Sequence, residues 1–401
     1  MLIDTDQAGA ALTYWHMDCV FYADGNSVME EIMRGTSQRK IPLPLKVVAA
    51  GLATAGFTYA LGRYRRIDFS GKTVLISGAS RGLGLELARR FAAERANVVL
   101  LARDLERLTE AAEELKRYRV EISVRQCDVT KAEETRRAVM SVIDEFRSID
   151  VLVNNAGIIQ VGPVENMNRD DYAEALAVHF WAPFNLTAEV LPHMKGQGSG
   201  RIVNITSIGG KVAIPHLAPY VASKFALVGF SEAMRLELIK DGIYITTVVP
   251  GLMRTGSHIN AFFKGQQQKE FALFSIANAS PLFSTASERA ARQIVDACRY
   301  GKAELIITPQ ARILQLANSL FPNITAEVLG LISRGLPSTR PGEGDALKRG
   351  WQSHSFIAPS VLTRTSDRVI RRNQEEPRSA PRVNPSDGFN QASSPERDRS
   401  R

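Results

Sequence analysis

The stretch TVLISGASRGLGLELARRFAAERA, residues 73–96, decides the fold class of this chain. Its first five residues form a mainly apolar run, as in a strand that is covered on both faces. A glycine-rich turn, SGASRGLG at 77–84, follows at once and leads into a pattern with helical period. Strand, glycine turn and helix in this order predict one unit of a parallel α/β sheet, with the positive N-terminal end of the helix beside the turn.

The remainder of residues 68–310 continues this alternation of short strand-like runs with longer helical patterns. Most of the runs are nearly all apolar, as buried parallel strands should be. The sequence therefore predicts an α/β fold, a doubly wound parallel seven-stranded sheet in a single domain. The predicted strands are TVLIS, NVVLL, EISVRQ, VLVNN, RIVNI, YITTVV and ELIIT.

Composition and charge limit the possible functions. The chain has 401 residues, of which 44% are hydrophobic and 23% charged, and its net charge is +8. These values exclude a wholly disordered, collagen-like or polytopic membrane chain. The positive charge is spread along the sequence, so we expect no nucleic-acid partner. The cysteines, Cys19, Cys127 and Cys298, stand far apart, which predicts no disulfide framework and no metal site and indicates a reducing, cytoplasmic compartment.

The segments outside this domain differ from it in composition. The N-terminal extension, residues 1–67, contains an apolar stretch at 41–62 that is a candidate membrane contact, with a buried or interfacial helix as the alternative. The pattern of residues 311–340 predicts a C-terminal helical addition. The alternatives for its role are core packing, closure over the site, a subunit contact and a lipid surface. Residues 341–401 are rich in Ser, Pro, Arg and acids and predict a disordered tail.

The glycine turn is the first candidate site. Gly78 permits a sharp turn, while Gly82 and Gly84 let the backbone approach a pyrophosphate at the helix N-terminus. Glycines also close ordinary loops, and the position between strand and helix is what favours nucleotide binding here.

Two basic residues favour NADP over NAD as the nucleotide. Arg81 lies inside the turn, and Arg103 follows the second strand, where the adenosine ribose of a dinucleotide would lie. An acid there would chelate the ribose hydroxyls of NAD, whereas a guanidinium pairs with the 2′-phosphate of NADP. The neighbouring Asp104 argues against this preference, and two solvated surface arginines are the alternative.

A second constellation, Ser207, Tyr220 and Lys224, suggests proton transfer. Tyr220 and Lys224 are one helical turn apart, so the ammonium can stabilise the ionised phenol and lower a pKa that is ordinarily about 10. Ser207, at the end of a strand, can then hydrogen-bond a substrate oxygen. A surface tyrosine and lysine on an amphipathic helix would be the alternative if this pair stood alone.

Together, SGASRGLG, NNAG at 154–157, Ser207 with YVASK, and PGLMRT at 250–255 resemble the motifs of the short-chain dehydrogenase/reductase family, in its classical type. The resemblance covers residues 70 to about 310. It implies a Rossmann-like fold and reversible hydride transfer between a nicotinamide cofactor, for which the two arginines favour NADP(H), and a small carbonyl or alcohol substrate. It also implies a homodimer or homotetramer built on the helices that hold the catalytic residues.

The same resemblance implies roles for individual residues. Ser207 orients the carbonyl, Tyr220 is the general acid or base, and Lys224 holds the nicotinamide ribose and lowers the tyrosine pKa. Asp128 resembles the adenine contact, and Asn154 the residue that steadies the central strand beside the cofactor. The other implied cofactor contacts are Ser80, Leu83, Val129, Ala156 and Gly157, together with Pro250, Gly251 and Thr255, which resemble the segment that grips the carboxamide.

One residue departs from the family pattern. Where the family commonly has an asparagine that holds a water in a proton relay, alignment from NNAG places His179. An imidazole can bind a water through a ring nitrogen, so we expect the relay to persist in altered form. The alternatives are slowed chemistry and a satisfied core histidine, and impaired catalysis would leave a nucleotide-binding scaffold or sensor.

The segment 255–284 lies where the family has a variable flap over the substrate. Its aromatic and aliphatic side chains predict an apolar lining for a lipophilic ketone or secondary alcohol, with packing beneath the flap or at a subunit interface as the alternative. These side chains are Phe262, Phe263, Phe271, Leu273 and Phe274.

A further hypothesis for the whole chain is that it serves chiefly as a membrane-tethering module.

Overall fold

A computed structural model describes residues 56–280, 284–338, 344–353 and 369–376. The chain divides into two compact units, Met1–Ala60 and Leu61–Arg401. Within the first unit, the described residues 56–60 are helical. Most of the apolar stretch 41–62 lies outside the described residues. No helix in the part of the chain that the structure describes is long and apolar enough to cross a membrane.

The second unit is built on the predicted seven-stranded sheet. Its strands pair in parallel in the order β3-β2-β1-β4-β6-β7-β11, which reverses direction on either side of β1 and so confirms the doubly wound topology. The strands are β1 Thr73–Ser77, β2 Asn97–Ala102, β3 Ile122–Gln126, β4 Val151–Asn154, β6 Gly200–Ile205, β7 Ile243–Val249 and β11 Glu304–Ile306.

Helices cover both faces of this sheet. They are α1 Gly82–Ala93, α2 Leu105–Leu115, α3 Ala132–Phe146, α4 Arg169–Leu176, α5 Ala182–Gln197, α6 Ala218–Leu238, α7 Gln267–Ala279, α8 Ser287–Arg299, α9 Pro309–Leu320 and α10 Pro322–Arg334. The last two confirm the predicted C-terminal helical addition. A π-helical segment, Ala177–Trp181, joins α4 to α5.

Alternate residues of the central strands enter two separate cores. Val74 and Ile76 of β1 join the cluster that includes Leu85 of α1 and Ile294 of α8. Leu75 joins the opposite cluster, with side chains of α3 and α5. Successive side chains of a strand point to opposite faces, so burial on both faces requires the uninterrupted apolar runs seen in the sequence.

Short strands beside the carboxyl ends of the sheet form two smaller sheets. One pairs β8 Leu252–Arg254 with β10 Ser284–Ala286, and the other has the order β12-β9-β5. Its members are β5 Gln160–Val161, β9 Phe262–Phe263 and β12 Lys348–Arg349.

Two parts of the predicted disordered tail have a defined place in the domain. Strand β12 pairs antiparallel with β9, and residues 369–376 lie against the glycine turn. Local composition predicts no order here, because these short pieces bury little apolar surface and rely on hydrogen bonds to distant residues. The other residues of the segment 341–401 lie outside the described residues.

Candidate active site

A single cavity of about 1150 Å³ joins the glycine turn to the Ser207–Tyr220–Lys224 group. It opens at the carboxyl ends of the parallel strands, where ligands bind in doubly wound sheets. Nearly all of the predicted site residues line it: Gly78, Ser80, Arg81, Gly82, Leu83, Arg103, Asp128, Val129, Ala156, Gly157, His179, Ser207, Tyr220, Lys224, Pro250, Gly251 and Thr255.

The two predicted residues outside this lining support the site from beneath. A Cβ atom on Gly84 would lie 2.2 Å from the carbonyl oxygen of Gly78, so only glycine allows the turn to close on the helix. Asn154 is buried at the end of β4, and its Nδ2 donates to Oδ1 of Asn204 on β6 at 2.8 Å. The amide therefore ties two central strands together beside the cavity.

The Ser207, Tyr220 and Lys224 side chains meet at the end of β6 and the first turns of α6. The Lys224 ammonium donates to the carbonyl oxygen of Ile205 at 2.9 Å and lies 5.7 Å from the centroid of the Tyr220 ring. The hydroxyl oxygen of Ser207 accepts the N–H of Gly209 at 3.0 Å. That bond orients Ser207 and leaves its proton available for another acceptor.

Burial controls the protonation of this group. It lowers the pKa of Lys224 to about 7, because the charged form has lost its hydration. Burial also raises the pKa of Tyr220, and a hydrogen bond with Ser207 opposes this rise in part. The sequence predicted a lowered tyrosine pKa. The direction in this site is the opposite, because the desolvation of the phenolate outweighs the stabilising contacts.

His179 lies in the π-helical segment, and both of its ring nitrogens have protein partners. Its Nε2 accepts the N–H of Ile158 at 3.1 Å, and its Nδ1 lies 2.8 Å from the hydroxyl oxygen of Ser223. Ser223 in turn donates to the carbonyl oxygen of Tyr220 at 2.8 Å. These roles require the proton on Nδ1, so that His179 donates to Ser223.

This arrangement changes the prediction for His179. Burial, reinforced by the charge of Lys224, places the pKa of the imidazole well below 6.5, so the ring is neutral. The expected ring nitrogen for a relay water is already occupied. The ring stands edge-on to Tyr220 with centroids 5.3 Å apart, so His179 positions the tyrosine helix against the strand end after Asn154.

Four arginines line the cavity on the side of the glycine turn. The sequence pointed to Arg81 and Arg103, and the fold adds Arg107 from α2 and Arg349 from β12. Burial is the main cause that lowers the pKa of Arg107, and the charge of Arg81 lowers it further. Burial also lowers the pKa of Arg349, and the charges of Arg81 and Arg103 add to this effect. The four guanidinium groups line one cavity, and their positive charge favours an anionic ligand.

Asp104 does not oppose such a ligand. Its carboxylate accepts the backbone N–H of Arg107 at 3.1 Å as the N-cap of α2, and it lies 3.3 Å from the guanidinium of the same residue. A capping carboxylate has its oxygens committed to the helix end. Asp104 therefore no longer argues against the preference for NADP.

The substrate end of the cavity is mainly apolar. Phe262, Leu273 and Phe274 of the predicted flap line it, whereas Phe263 and Phe271 are buried beneath. Leu336 and Trp351 also line the cavity. Leu336 belongs to the C-terminal helical addition, for which closure over the site was one alternative, whereas Trp351 belongs to the segment predicted to be a disordered tail. Polar side chains line the cavity as well, among them His216, whose Nδ1 lies 2.7 Å from a carboxylate oxygen of Glu270.

These features define the class of α/β oxidoreductases that carry serine, tyrosine and lysine beside a glycine turn. The family model described as short chain dehydrogenase matches residues 72–264. The 3-oxoacyl-(acyl-carrier-protein) reductase FabG of Staphylococcus epidermidis is 35% identical over 183 residues, which cover 45% of this chain and 75% of the relative. The ketoacyl reductase HetN of Nostoc sp. is 37% identical, with 48% and 67% covered. The chain belongs to the short-chain dehydrogenase/reductase family.

A solved structure agrees with this assignment. The chain resembles L-sorbose reductase from Gluconobacter frateurii, determined in complex with NADPH and L-sorbose, with a TM-score of 0.55 and 29% sequence identity. The similarity covers 60% of this chain and 97% of the reductase. The reductase is thus matched over nearly its whole length.

Proposed function

We propose that this oxidoreductase transfers hydride between NADP(H) and a lipophilic ketone or secondary alcohol. One observation carries the proposal: a single cavity holds the glycine turn, the arginine cluster, the Ser207–Tyr220–Lys224 group and an apolar end. A nucleotide bound along the turn would reach the tyrosine without leaving this cavity.

The residues of the turn fit a dinucleotide phosphate. Gly84 lets the turn close on α1, so that the positive N-terminal end of α1 stands where the pyrophosphate would bind. The four arginines supply positive charge for a 2′-phosphate, which NADP carries and NAD lacks. The NADPH complex of L-sorbose reductase supports the same choice.

The nucleotide supplies the hydride when it is bound, and the residues of the chain manage the proton. In the reducing direction the carbonyl carbon accepts the hydride and its oxygen takes the phenolic proton of Tyr220, which gives the alcohol. Ser207 donates its hydroxyl proton as a hydrogen bond to that oxygen and fixes its position. The nearby Lys224 ammonium stabilises the phenolate left behind. In the oxidising direction each transfer reverses.

The lining of the substrate end supports a lipophilic substrate. Apolar and aromatic side chains bind the body of a ligand, while a few polar groups set its orientation. The ketoacyl reductases among the relatives act on chains of this kind by name, which supports a substrate with an acyl or similarly apolar body.

Turnover by purified protein tests this proposal. We would mix 3-oxoacyl thioesters and long-chain ketones with NADPH or NADH and follow the absorbance of the reduced nicotinamide. Tyr220→Phe should lower turnover at least ~1000-fold and leave NADPH affinity nearly unchanged, because only the proton donor is removed. Tyr118→Phe is the matched control, because Tyr118 lies in the short 3-10 helix Lys116–Tyr118 after α2 and does not line the cavity. Full activity of Tyr220→Phe would refute its assignment as the general acid.

A sensor of the same fold is the second candidate function. The occupied ring nitrogens of His179 favour it, because they leave no site on the ring for a relay water. Tight NADPH binding without turnover of any carbonyl in the same assay would support the sensor instead of the enzyme.

A membrane contact is proposed for the helical addition. Helices α9 and α10 expose Ile313, Leu316, Leu320, Phe321, Ile324 and Leu331. Apolar side chains grouped in this way suit a lipid surface. Full-length protein should float with anionic vesicles, and an Ile324→Gln, Leu331→Gln variant should float less. Recovery of the wild type only in the soluble fraction would contradict this proposal.

A further inference from the structure

Residues 369–376, called here the C-terminal strap, lie against the glycine turn that the proposed cofactor would use. The strap begins with a helical turn at 369–372. The chain then reverses at Gln374, whose φ of 55° is in the left-handed region. Glu375 follows and is buried, with only 3% of its surface exposed. A carboxylate is thereby brought from the end of the sequence into the nucleotide end of the cavity.

The strap contacts the turn through backbone and charge. The N–H of Gly82 donates to the carbonyl oxygen of Asn373 at 2.9 Å. A Cβ atom on Gly82 would lie 2.5 Å from Oε1 of Glu375, so the carboxylate lies directly over the bare backbone. The other oxygen of Glu375 lies 3.3 Å from the guanidinium of Arg81.

Further hydrogen bonds hold the strap in place from the side. Arg107 donates to the carbonyl oxygen of Gln374 at 2.6 Å, and Arg89 to that of Arg372 at 2.8 Å. Asn260, near the flap, donates to the Glu375 carboxylate at 2.7 Å. Residues of α1, α2 and the flap therefore all hold the strap against the glycine turn.

We infer that the C-terminal strap is an internal ligand of the phosphate cradle, in which the Asn373 carbonyl oxygen and the Glu375 carboxylate together take the place of a dinucleotide phosphate. A phosphate and a carboxylate seek the same partners, namely free backbone N–H groups at a helix N-terminus and a guanidinium. The strap already uses the N–H of Gly82, through the Asn373 carbonyl oxygen, and the charge of Arg81, through Glu375, so neither group can serve strap and cofactor together. Cofactor and strap therefore compete, and binding of one releases the other.

Several features of the bound strap are energetically unfavourable, so a competing ligand can displace it. Burial raises the pKa of Glu375, although Arg81 and Asn260 act against the rise. Gln374 carries the left-handed backbone, and its Oε1 is buried without a hydrogen-bond partner among the described residues. An unpartnered buried polar atom and a left-handed non-glycine residue each oppose the closed state. A pyrophosphate carries a negative charge on each of its phosphates, so it has more charge than one carboxylate and is suited to replace it.

The inference rests on the proposed NADP(H) site, and the affinity of full-length protein for NADPH tests it. Nucleotide fluorescence would be titrated for the wild type, Glu375→Gln, Glu375→Ala and the control Glu376→Gln. Glu376 is the neighbouring carboxylate, but it is exposed and pairs with exposed Arg371. We expect Kd for NADPH to fall at least ~5-fold in both Glu375 variants, as for the loss of one charged hydrogen bond, and to stay unchanged in the control.

Hydrogen exchange gives a second measurement on the wild type. Amides of 369–376 should exchange faster when NADPH is added, because the strap is released. Weaker NADPH binding by the Glu375 variants would overturn the inference, since it would make the strap a wall of the cofactor site. Equal affinities with unchanged exchange would also overturn it and leave the proposed function standing. Failure of every variant to bind NADPH would refute the proposed cofactor and the inference together.

Discussion

Lys224 is a cation in a place where burial works against its charge. The Ile205 carbonyl oxygen is its hydrogen-bond partner, and only 5% of the residue is exposed. Its pKa of about 7, against 10.5 for the free side chain, means that the folded protein gives up this proton near neutrality, whereas the unfolded chain keeps it. A residue that we propose takes part in the chemistry thus reduces the stability of the fold.

This difference predicts the sign of a pH dependence. Between pH 7 and about 10 the unfolded state binds more protons than the folded state at Lys224. The amount by which Lys224 destabilises the fold therefore becomes smaller as pH rises. Relative to Lys224→Met, the free energy of unfolding of the wild type should increase by up to ~1.4 kcal/mol per pH unit in that window.

Urea unfolding of the cofactor-free proteins at pH 7, 8 and 9 measures this quantity. The control is Lys195→Met, at an exposed position of α5. A difference between wild type and Lys224→Met that stays constant or shrinks over this range would show that the buried amine keeps an ordinary pKa.

At the scale of the element, the glycine turn couples the first strand to the first helix. Gly84→Ala should disturb it, because the added methyl group would lie 2.2 Å from the Gly78 oxygen and 2.6 Å from the Asn155 amide. Neither the turn nor α1 can retreat without losing contacts in the core. We expect a loss of about 2 kcal/mol or more of stability and at least ~10-fold weaker NADPH binding.

Gly229→Ala is the matched control for this substitution. It lies in α6, and nothing lies within 4 Å of its Cβ position. Alanine should therefore stabilise the helix by up to about 1 kcal/mol. Thermal unfolding and NADPH titration measure both variants, and a Gly84→Ala protein as stable as the wild type would refute the packing argument.

These elements also explain how much the sequence could predict. The strands and the glycine turn were predicted because their signals are local: apolar runs for burial on two faces, and glycines between strand and helix. Arg349, Trp351 and Glu375 gave no signal, because they reach the site from segments whose composition indicates disorder. The pairing of His179 with Ser223 was equally hidden, since it depends on how the π-helical segment meets α6.

At the scale of the whole molecule, an exposed aromatic surface lies on the helices beside the site. Phe180, Trp181, Phe184 and Phe230 form a continuous cluster with ring centroids 4.9 to 5.9 Å apart. Trp181 is 52% exposed and Phe184 is 40% exposed. Large aromatic side chains grouped on a surface are typical of subunit interfaces.

We therefore predict that the protein is a homo-oligomer joined through this cluster. Trp181→Arg should raise the dissociation constant of the oligomer at least ~30-fold, because a charge would replace a buried aromatic contact at the centre of the interface. Analytical ultracentrifugation across a range of concentrations measures this change. Met140→Arg, at an exposed position on α3, is the control and should leave the assembly intact. A wild type that sediments as a monomer at all concentrations, or a Trp181→Arg protein that assembles normally, would exclude this interface.

Helix α6 carries both Phe230 of the cluster and Tyr220 of the site. If the interface supports the position of the tyrosine, separated subunits should also lose turnover.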